Sequence, residues 1–199
     1  MMTHRTSALA TALLSAVLLI SSATVSSSQA VDLSNYKEPF YRNVVGFSVS
    51  GLTGYGLQYQ YRFTPDFRLK AVGIYYEEVR TTQSEYLYNV ALEAQHDFVR
   101  TVDPNISYRL YGLAAIRYYE AKDSFNNSGL SVNPGYDRSF FTNTAGIGIG
   151  LEAIISQRFV LTGEVNYSRR IDRSYSIFND GNYTRTIVPF IGIAVGYMF

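Results

Sequence analysis

A chain of 199 residues with 17 basic and 16 acidic side chains has a net charge of +1, which gives no electrostatic basis for holding nucleic acid or a strongly anionic surface. It contains no cysteine, so neither disulfides nor thiolate metal sites can support the fold. Eighteen Tyr and twelve Phe, with fifteen Gly and only five Pro, favour pleated, half-buried surfaces and therefore β structure.

The chain opens with the basic residues of Met1 to Arg5, continues as an apolar run from Ser7 to Ile20, and passes into small residues ending at Ala30. This is the layout of a secretory signal peptide, expected over 1–30 and removed on export. The apolar run is too short for a helix crossing about 30 Å of hydrocarbon. Residues 31–199 are then one domain. No stretch in it approaches the roughly 18 consecutive apolar residues of a membrane helix, so any span must be made of strands.

From there the dominant signal is alternation with a period of two, interrupted by turn residues. Tyr41 to Ser50 sets Val45, Phe47 and Val49 against Arg42, Gly46, Ser48 and Ser50. Tyr55 to Phe63 sets Tyr55, Leu57, Tyr59, Tyr61 and Phe63 against Gly56, Gln58, Gln60 and Arg62. Phe67 to Glu77 follows the turn Thr64, Pro65, Asp66; its alternation blurs near Val72, which suggests a bulge there. Tyr86 to Phe98, Ile106 to Tyr118, Ala145 to Ile155, Phe159 to Tyr167 and Ile187 to Phe199 repeat the pattern, making eight segments of roughly ten residues, the length of a tilted membrane strand. Connections alternate between short (Thr64 to Asp66, Val99 to Asn105, Ser156 to Arg158) and long, polar ones (Val79 to Glu85, 121–143, 169–185), with Gly51 to Gly54 a tight exception.

The expected fold is all-β: a membrane-spanning antiparallel up-and-down barrel of about eight strands with an oily exterior. A soluble lipocalin-like barrel would share the period with its faces reversed. Aromatics at the ends of the apolar faces, as at Tyr108 and Tyr118, favour the lipid-facing arrangement, because interfacial girdles lie there. The opposite face then collects Arg42, Arg62, Arg68, Lys70, Glu93, Asp97, Arg109, Arg117, Glu152 and Glu164 as a polar lumen network. Buried ions must be paired, and eight strands enclose room only for side chains, so a plug is expected and a narrow channel for ions or small solutes is the alternative.

The ending Gly196, Tyr197, Met198, Phe199, apolar at every second position back to Ile191, resembles the terminal insertion signal of bacterial outer-membrane proteins. With eight strands and a signal peptide, the chain is similar to the small OmpA/OmpX/Ail-like barrels and opacity-type porin-family proteins. That resemblance implies an outer-membrane location, contact with outer-membrane lipid, and delivery by the barrel-assembly machinery through Tyr197 and Phe199. Nothing follows Phe199, so the peptidoglycan-binding domain of OmpA proper is not expected.

Catalysis has little to work with. Gly146, Gly148 and Gly150 lack the spacing and the following helix of a nucleotide loop. His96 is the one histidine of residues 31–199 and falls near the inner end of its strand, whereas small barrel enzymes that modify lipid place a His, Ser and acid at the outer rim. No catalytic set, cofactor or metal is expected, and a lipid-modifying enzyme is the third-ranked reading. The two large loops carry the candidates for a surface partner: Phe125, Tyr136 and Arg138 in 121–143, and Tyr175, Phe178 and Tyr183 in 169–185, a mixture suited to adaptable binding surfaces.

Overall fold

The computed structural model describes residues 41–79, 83–125, 137–176 and 179–199; the segment read as a signal peptide, 1–30, lies outside them. Eight antiparallel strands close into a barrel in chain order: β1 (Asn43–Ser50), β2 (Gly54–Arg62), β3 (Phe67–Val79), β4 (Gln83–Thr101), β5 (Ile106–Phe125), β6 (Asp137–Ile155), β7 (Phe159–Ser176) and β8 (Asn179–Met198). Closure comes from β1 against β8, with Val44 opposite Met198 through to Ser50 opposite Gly192. Sequential hairpin pairing explains the two kinds of connection. The turns at 63–66, 102–105 and 156–158 gather at one end with Tyr41 and Phe199, here called the inner end. Ser156 and Gln157 both take left-handed backbone angles there, as a two-residue turn between right-twisted strands demands.

The burial pattern fixes which face points where. Leu57 is 71% exposed, Ile147 68%, Ile187 63% and Phe159 58%, whereas Arg62, Arg68, Lys70, Arg109, Glu93 and Glu152 are each 2% exposed or less. A soluble barrel buries its oil and wets its charges; this one does the reverse, and a broad apolar exterior around a closed ring of strands suits hydrocarbon.

Three features depart from the sequence reading. Val72 stays in register, opposite Gln58 and Ala91, and is buried inside; the pattern blurs because an apolar residue sits on the inward face, with no bulge. Register shifts lie instead at Asp97/Val99, where Asp97 points in while Phe98 and Val99 both face out, and at Ser174/Ser176 between β7 and β8. Phe98 lies over Gly112 of the next strand, where an added Cβ would come within 2.6 Å of the ring. Finally, β4 to β8 run 18 to 20 residues each, well past the ends of the alternating segments. Most of 169–185 and the ends of 121–143 are therefore ladder, not loop. Outside the lipid both faces of a strand meet water, so the backbone bonds persist after the apolar alternation has gone.

The β1–β2 hairpin does not share this extension. Gly54, with φ of +78°, ends its turn in a conformation that glycine adopts without a Cβ penalty. Beyond Gly192 on β8 and Gly73 on β3, no strand among the described residues continues the wall on the hairpin's side, leaving a notch at the outer end. Pro189 falls on that bare stretch of β8, the kind of edge position where a residue with no N–H is tolerated.

Candidate functional site: a layered lumen

Inward residues come from alternate positions of all eight strands, and they sort into layers. At the inner end Val44, Ile154, Val160 and Met198 form an apolar cluster with Tyr41 packed on it. Above it lie four buried cations, Arg62, Arg68, Lys70 and Arg109, and four buried carboxylates, Glu93, Asp97, Glu152 and Glu164. The four positive and four negative groups cancel, which is what a sealed ionic layer requires.

Arg109 is the hub. Its Nε and Nη2 donate to Glu152 Oε1 and Oε2 at 2.7 and 2.8 Å, Nη1 to Asp97 Oδ1 at 2.6 Å, and Nη2 also to Gln95 Oε1 at 2.6 Å. The rigid fork of arginine matches this divided arrangement of acceptors in a way that a lysine could not. Arg68 Nη1 reaches across the lumen from β3 to Glu152 on β6 at 2.9 Å. One layer up, Lys70 Nζ bridges Glu93 at 2.8 Å and Glu164 at 2.6 Å. Gln95 Nε2 donates to Glu93 Oε1 at 2.6 Å, and Tyr111 Oη donates to Glu164 at 3.0 Å. These bonds tie β3 to β6 and β7, strands that are not neighbours in the sheet.

The Arg109 guanidinium carbon also lies 4.2 Å from the Tyr111 ring centroid, and Tyr111 joins Leu52, Leu113 and Ala115 in a second apolar layer. Leu52 belongs to the outer β1–β2 turn yet is 0% exposed, because the short hairpin folds its tip into the barrel. Gly150 makes room here: a Cβ on it would overlap the Tyr111 ring. Replacing Gly150 with valine is expected to lower the urea midpoint of the folded barrel, a loss of about 1–3 kcal/mol from overpacking. Tyr111→Ala in the same chain should recover part of it; equal loss in both would show that the glycine matters for another reason.

Of the ten expected lumen residues, eight meet in the ionic layer. Arg117 is inward too but higher, donating from Nε to Asn89 Oδ1 at 2.6 Å. Arg42 is a correction: it precedes β1 at the inner rim and is exposed, with Nη1 3.5 Å from Tyr61 Oη, because the strand has ended before the alternation can carry it inside. Gln95 falls on the polar face of its strand with Glu93 and Asp97, as the alternation places it; Tyr111 and Leu52 escape the sequence reading. Tyr111 shares the parity of Arg109 and could have been found by counting, whereas Leu52 lies in a turn where parity gives no signal.

Elsewhere, Tyr197 and Phe199 face outward at the inner end, Tyr197 against Phe159 with ring centroids 5.5 Å apart and its Oη 3.2 Å from Arg158 Nη1. His96 is exposed near the inner rim, Nδ1 3.1 Å from the Asp66 carbonyl oxygen and its ring against Phe98. Among the loop candidates, Arg138 and Tyr175 sit on β6 and β7, Tyr175 packing edge-on to Phe141. Phe125 and Tyr183 lie on β5 and β8 with side chains outside the description, and Tyr136 and Phe178 lie outside the described residues.

No protein-family model matches the chain, and no curated protein does. Among solved structures it is similar to the N-terminal β-barrel domain of Pseudomonas aeruginosa OprF, at 17% identity over 80% of this chain and 98% of that one, with a TM-score of 0.43. It is similar also to a major outer membrane protein from Thermus thermophilus, at 12% identity over 81% and 100%, TM-score 0.44. A third is Ail, the attachment invasion locus protein of Yersinia pestis, at 20% identity over 79% and 97%, TM-score 0.38. On its own pairing and burial, the chain is a membrane-spanning antiparallel up-and-down β-barrel of eight strands.

Proposed function

We propose that this is an integral bacterial outer-membrane protein, exported by the signal peptide at 1–30 and delivered to the barrel-assembly machinery by the strand ending in Tyr197 and Phe199. Its lumen is sealed, and its role is structural or lies in the surface that it offers outside the membrane. The observation that carries the sealed lumen is the neutral ionic layer held between two apolar layers: an ion passing through would have to break several charge-assisted bonds and cross Leu52 and Val44 in turn. The surface role is supported by the tall outer strands. They carry aromatic pairs such as Tyr75 with Tyr86 and Tyr119 with Phe140, together with Arg138 and Tyr175. We assign the barrel no chemical reaction.

The test is planar-bilayer recording of the purified, folded protein, with fractionation and heat-dependent gel migration to establish that it inserts. Discrete conductance steps should be absent. Reproducible steps, altered by Lys70→Gln, would replace the sealed lumen with the channel reading.

A further inference from the structure

Above Leu52 the charge balance of the lumen changes. Arg117 on β5, Thr144 on β6 and Arg170 on β7 occupy one rung of the sheet, Arg117 opposite Thr144 and Thr144 opposite Arg170. The alternation of each strand turns all three inward. Strand spacing sets the two arginine Cα positions about 10 Å apart, so their long side chains can converge on one small group. The two guanidiniums lie within Coulombic range of each other.

Each arginine commits its Nε to a hydrogen bond and its flat face to an aromatic ring, Arg117 at 4.9 Å from the Tyr119 centroid and Arg170 at 6.0 Å from that of Phe140. Arg117 Nε is bonded to Asn89, and Arg170 Nε donates to Asp172 Oδ1 at 2.7 Å, an oxygen that also accepts from Thr142 Oγ1 at 2.7 Å. The terminal nitrogens of both guanidiniums make no hydrogen bond to a described residue. Three hydroxyls are in the same condition. Thr144 is 3% exposed, Ser168 on the rung below is 1% and Thr53 in the hairpin tip is 0%, and none of their hydroxyl oxygens has a partner among the described residues. Thr53 is held beside Arg117 because Asn89, which accepts from Arg117, also donates to the Thr53 carbonyl at 3.3 Å. Donors outnumber acceptors here, and Asp172 offsets only one of the two cations, in contrast to the balanced layer beneath.

We propose that Arg117, Arg170 and the hydroxyls of Thr144, Ser168 and Thr53 form a binding site for a phosphoryl group, entered from the outer mouth or through the notch above the β1–β2 hairpin. Two arginine forks present planar donor pairs to tetrahedral oxyanions, and hydroxyls supply the remaining bonds. Free phosphate from solution and a phospholipid headgroup from the membrane offer the same chemistry. The site requires inward orientation of one rung, and it stands whether or not the lower lumen conducts.

The test uses the folded protein in maltoside micelles, which contain no phosphate. Inorganic phosphate is titrated calorimetrically against a chloride background; in a second arm phosphatidylglycerol is added to the micelles, with diacylglycerol as control. Saturable binding to either is the expected result. Saturation by inorganic phosphate identifies a soluble ligand, and saturation by phosphatidylglycerol alone identifies a lipid. Arg117→Gln with Arg170→Gln should weaken binding at least about tenfold, Thr144→Val by roughly threefold, and outward-facing Arg169→Gln not at all. Folding of each variant is checked by heat-dependent gel migration; if the double variant fails to fold, Arg170→Lys and Thr144→Val carry the test. No saturable binding in either arm, or wild-type affinity in folded Arg117, Arg170 or Thr144 variants, overturns the proposal.

Discussion

Replacing Arg109 with methionine is expected to cost about 3–5 kcal/mol of unfolding free energy, because it strands buried carboxylates whose partner it was. Glu152 loses a two-point contact and Asp97 a 2.6 Å bond, while Arg68 remains as the nearest cation able to serve both. Equilibrium unfolding in urea, followed by the loss of heat-dependent gel migration, measures the change. Adding Glu152→Gln to the methionine variant should restore part of the loss, since it removes one of the uncompensated charges. If the single and double variants unfold at the same midpoint, the hub role assigned to Arg109 is wrong. The opposite substitution, Arg109→Lys, tests the fork itself: a point charge cannot reach Glu152, Asp97 and Gln95 together, so the lysine variant should fall between wild type and methionine.

Ile149→Arg is expected to cost about 2–4 kcal/mol, the penalty for a guanidinium near the bilayer midplane on the lipid face of a barrel. Ile149 is central in the outward row of β6 that runs from Ile155 to Ala145, and it is 56% exposed. In a soluble barrel an exposed isoleucine would tolerate the same change within about 0.5 kcal/mol. The measurement is the same urea titration in lipid vesicles, and it separates the two solvents directly. Ala145→Arg, at the outer end of the same row, should cost less, as the charge can lift toward the interface.

The contrast between these two sites also shows what the amino-acid sequence makes legible. Ile149 is readable because lipid forces strict alternation: with hydrocarbon on one side and a narrow interior on the other, each position has one acceptable polarity. Nine of the ten expected lumen charges face inward by that rule, all but Arg42, and eight of them share the ionic layer. It weakens wherever one side of the strand changes character. Val72 and Met198 are apolar residues facing inward, in layers that cap or border the ions, and they blur the period without breaking the ladder. Arg42 stands one step before its strand begins. Above the lipid, around Arg138 and Tyr175, water bathes both faces, so nothing in residue polarity reports that the strands continue. The rung of Arg117, Thr144 and Arg170 is invisible for a different reason. It depends on the register between three strands, and only Arg117 of the three carries a signal of its own.

The low hairpin has a further consequence for the membrane around the protein. Peptide groups on the bare margins of β3 and β8 cannot rest against acyl chains without forfeiting their hydrogen bonds, which costs several kcal/mol per group in hydrocarbon. With no described residue covering those margins, water is the partner left to them above the Gly51–Gly54 sill, while the opposite flank, built by β5 and β6, is paired along its length. Among the described residues the strand wall is therefore lower on one side of the barrel than on the other. A neighbour diffusing in the same leaflet thus encounters a cylinder with a front and a back, a polarity that its nearly neutral overall charge would not disclose.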